Sequence, residues 1–306
     1  MASTDIEPNA DSILESLECA TEECKLDPRR IGQTIHLPHQ GEVWVSGDMH
    51  DHRRNFEKFV AAADLGNNPQ RHIVLHELIH GDHYDAEGAE GSWRILVRAA
   101  EVKCDHPRQV HFLLANHDLA QIYGEGILKG GVSVCEGFNK GVRRDFKDKA
   151  TSIQVAITEF LLSYPLAIRT HNGVFISHSL PAEEEIPDFD YTVFDRELTG
   201  ADYKRRTGPV YQLVWGRKMS GQAVARFADR VKAKVLITGH QPQESGYATV
   251  GNRMLILASD HNQGVYLPLS LSEEYDFDKV VRQIQKFIAM NMPEEDEGQG
   301  RVRLEL

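Results

Sequence analysis

Five short polar motifs, each directly after an apolar run, carry the residue types that bind divalent metals in proteins. In chain order they are Gly47-Asp48-Met49-His50, Gly81-Asp82-His83-Tyr84-Asp85, Asn116-His117-Asp118, Ser177-His178 and Gly239-His240. Carboxylates, imidazoles and an amide oxygen suit manganese, iron, zinc or cobalt. A single Gly-Asp or Gly-His pair occurs by chance in many chains, so the information lies in their order and their shared position after apolar runs.

Six of these residues are predicted metal ligands. We assign the bridging carboxylate to Asp82, a first metal to Asp48 and His50, and a second metal to Asn116, His178 and His240. Two metals roughly 3.5–4 Å apart lower the pKa of a water between them and hold a phosphate. The motifs therefore predict a dinuclear centre for phosphate chemistry.

The apolar runs predict strands, and helical patterns lie between them. Strands are expected at 42–46, 73–80, 110–115, 174–176, 235–237, 254–258 and 265–269, and helices at 54–64, about 93–100 and 224–231. Strands that alternate with helices indicate an α/β fold, here a single domain. Ligands of such folds bind beyond the carboxyl ends of the strands, where every motif falls.

The two ends of the chain and one internal segment depart from this alternation. Residues 1–30 are acidic and predicted to form a loosely held extension, and residues 293–306 a fraying tail. Residues 31–292 would form the catalytic domain. Its segment from about 119 to 165 is predicted to be a helical insertion over one side of the site.

The composition limits the partners. The 306 residues carry a net charge of −12, which argues against nucleic acid as the main partner. No apolar stretch reaches about 18 residues, and the N-terminus lacks the features of a signal peptide, so a cytoplasmic protein without a membrane span is expected. The four cysteines, Cys19, Cys24, Cys104 and Cys135, are predicted to be reduced thiols.

The motifs resemble those of the calcineurin-like metallophosphoesterases, and within them the PPP family of serine/threonine phosphatases. That family's motifs read Gly-Asp-x-His-Gly, Gly-Asp-x-x-Asp-Arg-Gly, Gly-Asn-His-Glu/Asp, His-Gly-Gly and Arg-Gly-His, and the likeness runs from about residue 42 to 270. Pro242 stands where many other metallophosphoesterases have a second histidine after Gly239-His240, which favours the PPP branch. The resemblance implies a layered β-sandwich flanked by helices.

The resemblance also implies a mechanism. A hydroxide bridging the two metals, manganese first with iron or zinc as alternatives, would attack the phosphorus in line. His117, whose counterpart in the family is not a ligand, would be the general acid toward the leaving oxygen. Asp85 would accept a hydrogen bond from His117 and orient it.

The sequence departs from the family where the substrate phosphate is held. Ala86 follows Asp85 in place of the family's arginine, while Arg217 and Arg53 are candidates to replace it. The expected substrate is a phosphorylated protein or a small phosphoester. A nucleotide or dinucleoside-polyphosphate hydrolase is an alternative, and a catalytically idle module that binds a phosphorylated ligand is another.

One motif suggests a different enzyme. His76-Glu77-Leu78-Ile79-His80 has the H-E-x-x-H pattern of zinc proteases, which chelates zinc only on a helix. Here the pattern continues the apolar run Ile73-Val74-Leu75 and is predicted to be a strand, on which residues 76 and 80 lie too far apart to bind one ion. Protease activity would be abolished by Glu77→Gln but unaffected by Asp48→Asn, and the phosphatase hypothesis predicts the reverse.

Overall fold

Two β-sheets, formed by the apolar runs, lie at the centre of the fold and are flanked by helices. The computed structural model describes residues 9–124, 127–129 and 131–290. The α/β class, the two-sheet sandwich and the single domain predicted from the sequence are confirmed. The predicted tail 293–306 and the first eight residues of the predicted extension lie outside the described residues.

The strands follow the predicted order. In the described residues they are β1 (Arg30–Ile31), β2 (Thr34–His36), β3 (Glu42–Asp48), β4 (Arg71–His76), β5 (Val110–Leu113), β6 (Leu128–Lys129), β7 (Val132–Ser133), β8 (Ala167–Arg169), β9 (Val174–Ser177), β10 (Val235–Thr238), β11 (Tyr247–Val250), β12 (Met254–Leu257), β13 (Val265–Ser270) and β14 (Gln285–Lys286). Seven of them, β1, β2, β6, β7, β8, β11 and β14, have no predicted counterpart. Among the predicted strands the largest difference is in β4, which ends at His76 and not at His80.

The strands form two large sheets and one hairpin. One sheet has the order β1-β2-β8-β9-β10-β12-β11, the other β14-β13-β3-β4-β5, and β6 pairs with β7. Strands β3, β4 and β5 are parallel neighbours, as are β9, β10 and β12. A bridge between Asp48 and Ala258 joins the two large sheets at the end of β3.

Apolar side chains fill the space between the two sheets. Val45 and Val74 come from one sheet and Ile176 and Ile237 from the other, and all four are buried in one cluster. Each of these strands is a short, nearly continuous apolar run, as expected for parallel strands covered on both faces. This core fixes the strand ends that carry the polar motifs.

Helices cover the outer faces of the sheets. They are α1 (Ala10–Lys25), α2 (Arg53–Ala63), α3 (Trp93–Asp105), α4 (Asn116–Tyr123), α5 (Val134–Phe146), α6 (Ala150–Leu162), α7 (Pro209–Trp215), α8 (Gly221–Arg230) and α9 (Phe277–Arg282). The segment predicted as a helical insertion, 119–165, contains most of α4 and all of α5 and α6. Among the described residues, no helix combines the length and the apolar character needed to cross a bilayer.

The first helix corrects the prediction of a loosely held N-terminal extension. Helix α1 is capped by Asn9 and buries Ile13, Leu17 and Ala20 in the main hydrophobic cluster. It lies against α3 and α6. The apolar spacing of a helix was present in the sequence, but the acidic residues between the apolar ones are on its solvent face and masked the signal.

The prediction of four reduced cysteines is wrong for one pair. Cys19 of α1 is bonded to Cys104 of α3, while Cys24 and Cys135 are buried thiols. The two bonded residues are 85 positions apart in the chain. No cysteine spacing marks such a pair in a sequence, because only the contact between α1 and α3 brings the two residues together.

Reduction of this disulfide is expected to destabilise the fold. A loop closed across a separation of 85 residues contributes about 4.5 kcal/mol to the free energy of unfolding through the entropy of the unfolded chain. Scanning calorimetry with a phosphine reductant should therefore show a melting temperature lower by roughly 7 °C. The Cys19→Ala variant is the control and should not respond to the reductant. An unchanged melting temperature of the wild-type chain would contradict the expectation.

Candidate metal centre

The carboxyl ends of strands from both sheets meet at one edge of the sandwich. Strands β3, β4 and β5 end there in one sheet, and β9 and β10 end there in the other. Two glycines allow the close approach. A Cβ atom on Gly47 would lie 2.3 Å from the backbone of Leu257, and one on Gly239 would lie 2.1 Å from Oδ1 of Asp48. Neither position can hold a larger residue without displacing these groups.

The backbone is strained where these strands end. His50, Glu77, His80 and His240 all have positive φ, at 40°, 36°, 65° and 68°. Left-handed backbone is uncommon for residues with a Cβ atom and costs on the order of 1–3 kcal/mol each. Such strain concentrates at functional sites, and here it turns polar side chains from separate strands toward one point.

Two imidazoles converge on the oxygen of one amide side chain. Nε2 of His178 lies 2.8 Å from Oδ1 of Asn116, and Nδ1 of His240 lies 2.7 Å from the same oxygen. All three residues are at most 3 % exposed. Two imidazoles and an amide oxygen directed at a common point form a donor set that suits a first-row divalent metal.

A second group of residues contains buried donor atoms that lack hydrogen bonds to the described residues. Asp48, His76 and His178 offer atoms that lie within 4.8 Å of one another. Within the described part of the chain, no hydrogen bond reaches Oδ1 of Asp48, Nδ1 of His178 or either ring nitrogen of His76, although all are buried. Buried polar atoms are nearly always satisfied. A bound cation would satisfy these, so the residues fit a metal.

The third group of donors contains His50, Glu77 and His117. Nε2 of His50 lies 3.2 Å from Oε2 of Glu77, and Nδ1 of the same ring lies 3.0 Å from the carbonyl oxygen of Ile79. A carbonyl that accepts from Nδ1 leaves Nε2 as the nitrogen that binds a metal once its proton is lost, which is the arrangement found around metal-binding histidines.

Glu77, and not the predicted Asp82, lies between these groups of donors. Its Oε2 faces His50, and its Oε1 lies 3.8 Å from Nε2 of His178 and accepts a hydrogen bond of 2.9 Å from the backbone of His117. Asp82, the predicted bridge, is exposed and belongs to neither group of candidate ligands. Because β4 ends at His76, Glu77 turns into the centre and Asp82 lies farther along the loop.

The position of this loop also bears on Asp85, the residue predicted to orient His117. Asp85 lies in an exposed turn, where it accepts hydrogen bonds from the backbone of Glu87 and Ala89 and pairs with Arg144 at 2.6 Å. These bonds hold the pKa of Asp85 below its usual value. The side chain that faces His117 is His80, with the two Nδ1 atoms 2.9 Å apart.

Burial keeps several imidazoles neutral. It lowers the pKa of His76 to about 4, and together with Arg217 it lowers that of His240 to about 4. Burial also holds the pKa of His178 well below its usual value. Metal-binding imidazoles must be unprotonated, so these rings are ready to bind at neutral pH without releasing a proton.

His50 and Glu77 form an ion pair, and each shifts the pKa of the other. Burial lowers the pKa of His50, but Glu77 opposes it and raises the value to about 10. Burial raises the pKa of Glu77, but the surrounding imidazoles, His117 first, hold it well below its usual range. Burial and then Glu77 raise the pKa of Asp48. Excess negative charge in this centre is therefore balanced by a proton, and a divalent cation would displace that proton on binding.

The two arginines predicted to hold phosphate differ in their surroundings. Arg217 is exposed, and its Nε donates to Nε2 of His240 at 2.9 Å, which leaves the terminal nitrogens beside the centre. Arg53 pairs with Asp51 through Nε at 2.9 Å and through Nη2 at 3.1 Å, and Nη2 also donates to Gly91. Arg217 therefore has the freer guanidinium.

Sequence reasoning missed His76, Glu77 and His80, which it treated as a strand with a protease-like pattern. The structure ends the strand at His76 and leaves residues 77–80 outside helices and strands, so the H-E-x-x-H pattern has no helical face on which to chelate zinc. The available signal was that His76-Glu77 is the first polar pair after Ile73-Val74-Leu75. The predicted ligands Asp48, His50, Asn116, His178 and His240 all lie in the centre, together with His117.

This fold and this cluster are those of a phosphoesterase that binds metals. The sequence profile of the calcineurin-like phosphoesterases matches residues 41–244, and the chain belongs to that family. It is a metallophosphoesterase and a hydrolase. No curated protein gives a significant sequence match.

Solved structures of phosphatases share the fold at low sequence identity. A protein serine/threonine phosphatase from Saccharomyces cerevisiae, described as similar to human phosphatase PP5, superposes with a TM-score of 0.66 at 13% identity, covering 94% of this chain and 92% of that one. A cold-active protein-tyrosine phosphatase of a psychrophilic Shewanella species gives 0.52 at 12% identity, covering 87% and 84%. At these identities the likeness establishes the fold.

Proposed function

We propose that this protein is a metal-dependent phosphomonoester hydrolase and that its substrates are phosphoserine or phosphothreonine residues of proteins. The observation that carries the proposal is the position of Glu77, whose carboxylate faces His50 through one oxygen and His178 through the other, and these histidines belong to two different groups of candidate ligands. A carboxylate between two sets of ligands is what a dinuclear centre requires.

The proposed ligands are Asp48 and His50 with Glu77 on one side, and Asn116, His178 and His240 on the other. His76, whose ring nitrogens lack hydrogen bonds among the described residues, is a further donor within reach of Asp48. Manganese is the first candidate, and iron or zinc would also suit these donors. When bound, the metals would supply Lewis-acid stabilisation of charge on the phosphoryl group and a nucleophile at neutral pH.

The protein's own side chains would complete the reaction. His117 borders the centre beside His50, with ring centroids 4.8 Å apart, and would donate a proton to the leaving oxygen. Arg217 would contribute its terminal guanidinium nitrogens to the phosphate oxygens, to which such a planar group binds well. Its position next to His240 places the guanidinium beside the centre.

The substrate class is proposed from the resemblance of the motifs to the PPP family and from the description of the yeast structure as a serine/threonine phosphatase. The Shewanella structure is described as a protein-tyrosine phosphatase, so phosphotyrosine belongs in any panel of substrates. A nucleotide substrate remains the alternative, because no arginine follows Asp85.

The cytoplasmic location stays a prediction. The Cys19–Cys104 bond removes one argument for it, which was the expectation that all four cysteines are reduced.

The test is turnover by protein that has been stripped of metal and then reconstituted. Metal content is measured on the same samples that hydrolyse p-nitrophenyl phosphate, phosphoserine, phosphothreonine and phosphotyrosine peptides, ATP and a dinucleoside polyphosphate. We expect turnover only with metal, and higher kcat/KM for phosphoserine and phosphothreonine peptides than for nucleotides. Asp48→Asn should abolish turnover, which a zinc protease would not predict.

Other outcomes would change the assignment in defined ways. Preference for nucleotides would retain the metallophosphoesterase but replace the substrate class. Two bound metals without turnover on any substrate would contradict the hydrolase and favour a module that binds phosphorylated ligands.

A further inference from the structure

A chain of hydrogen-bonding side chains leads from His117 into the helices on one side of the centre. Nδ1 of His80 lies 2.9 Å from Nδ1 of His117, and Nε2 of His80 lies 3.0 Å from Oε1 of Gln121 on α4. Nε2 of Gln121 donates to Oδ1 of Asn139 on α5 at 2.9 Å. Nε2 of Gln154 on α6 donates to the same oxygen at 3.1 Å.

The direction of these bonds fixes where the hydrogens lie. Asn139 accepts from the amide nitrogen of Gln121, so Gln121 turns its carbonyl oxygen toward His80. A carbonyl oxygen only accepts, and Nε2 of His80 must therefore carry a hydrogen. The other nitrogen of a neutral ring is bare, so Nδ1 of His80 accepts a hydrogen bond from Nδ1 of His117. Nε2 of His117 is then the nitrogen that can hold and release a proton.

We propose that His80 is a positioning residue, a neutral imidazole that sets the ring orientation and the tautomer of His117, and that the Gln121–Asn139 amide pair sets the tautomer of His80. The proposal rests on the proposed function, in which His117 protonates the leaving group. A general acid is effective only when its proton points at the atom it serves, and the partner of its second nitrogen usually decides this.

The surroundings of His80 hold its ring in place. The side chain is fully buried, and its ring meets the ring of Phe138 edge to face at 5.8 Å between centroids. The backbone nitrogen donates to Oγ of Ser92 at 3.0 Å, and φ is 65°. A residue that keeps a strained backbone while fully buried is held by the structure around it, which suits a group that must not rotate.

Two substitutions separate the hydrogen bond from the shape of the ring. His80→Phe keeps an aromatic ring against Phe138 but removes the acceptor for His117. His80→Asn removes the ring but keeps an acceptor, because Oδ1 of asparagine is separated from Cα by as many bonds as Nδ1 of histidine. If His80 only filled space, His80→Phe would be the milder change; if it acts through its acceptor, His80→Asn would be.

The first readout is independent of turnover. Long-range nitrogen–proton NMR spectra of the ¹⁵N-histidine-labelled chain distinguish the two neutral tautomers and the protonated ring, and the His80 signals are identified by their loss in His80→Asn. We expect the tautomer with hydrogen on Nε2. A hydrogen on Nδ1, or on both nitrogens at neutral pH, would overturn the proposal.

The second readout compares leaving groups. In His80→Phe, kcat for phenyl phosphate should fall on the order of 10²-fold, as when a general acid is lost. For p-nitrophenyl phosphate the fall should be much smaller, because nitrophenolate leaves without full protonation. KM and metal content should stay unchanged, and His80→Asn should recover most of the lost rate.

Equal losses with both substrates, or a His80→Asn variant no better than His80→Phe, would contradict the role of His80. Wild-type protein without turnover on either substrate would instead contradict the proposed function, and the NMR experiment would still decide the tautomer of His80.

Discussion

Replacement of Glu77 by glutamine should abolish phosphoesterase activity and reduce the metal content below two ions per chain. Removal of a partner outside the ligand shell of a metal costs about 10- to 100-fold, so loss of a carboxylate between two metals should cost more than about 10²-fold in kcat/KM. The charge matters as much as the geometry, because Glu77 is buried among imidazoles that stabilise its ionised form. The amide keeps the shape and loses the charge.

Asp82→Asn is the matched control, because it also replaces a carboxylate with an amide. Asp82 is exposed and lies five residues after Glu77, at the position that the motif pattern favours. Activity and metal content should be those of the wild type. An active Glu77→Gln variant beside an inactive Asp82→Asn variant would contradict the geometry of the centre.

Glu77→Gln alone no longer distinguishes a phosphatase from a protease, because both hypotheses now require Glu77. Asp48→Asn is the variant that distinguishes them.

Replacement of His117 by asparagine should reduce turnover without reducing metal content. A general acid contributes about 10²- to 10⁴-fold, and the loss should be larger for phenyl phosphate than for p-nitrophenyl phosphate. Metal content is the discriminating measurement, because His117 also lies within reach of His50 and Glu77 as a candidate ligand.

A variant that binds only one metal would contradict this role and make His117 a ligand. His50→Asn is the comparison, since it removes the ring beside His117 and should lower metal content as well as turnover. The two variants should therefore separate binding from proton transfer within one pair of neighbouring imidazoles.

Most of the fold could be predicted because the strands are short apolar runs between helical patterns. The ends of β3, β9 and β10 lie at or close to their predicted positions, and Asp48, His178 and His240 therefore fall in the centre as expected. Asn116 likewise follows closely after the end of β5 and lies in the centre. In each case the first polar residues after an apolar run are the residues that enter the site.

The second motif was predicted at residues 81–85, later in the chain than the residues that enter the centre. Two patterns in this segment suggest different ends for the strand: the apolar run and the letters of the family motif. Gly81-Asp82 and Asp85 match the letters of the family motif, and that match extended the predicted strand through His76, Glu77 and His80. The shorter strand is physically preferable, because a strand that continued to His80 would place two more polar side chains, those of Glu77 and His80, inside a sheet covered on both faces. Glu77 lies between the donor groups, where the letters of the motif had suggested Asp82.

Contacts between distant segments could not be read from the chain. The bond between Cys19 and Cys104, the cover that α1 provides and the Gln121–Asn139 contact each depend on how helices pack on the sheets. The exposed pair of Arg144 with Asp85 is another case, because it gives Asp85 a structural partner in a turn that the sequence presents as catalytic.

The most direct test of the account is a crystal of the manganese-loaded protein with anomalous scattering data collected at the manganese edge. We expect two anomalous peaks roughly 3.5–4 Å apart, one on each side of the Glu77 carboxylate. A single peak, or a pair of peaks bound by Asp82 with Glu77 outside their coordination, would contradict the dinuclear centre described above.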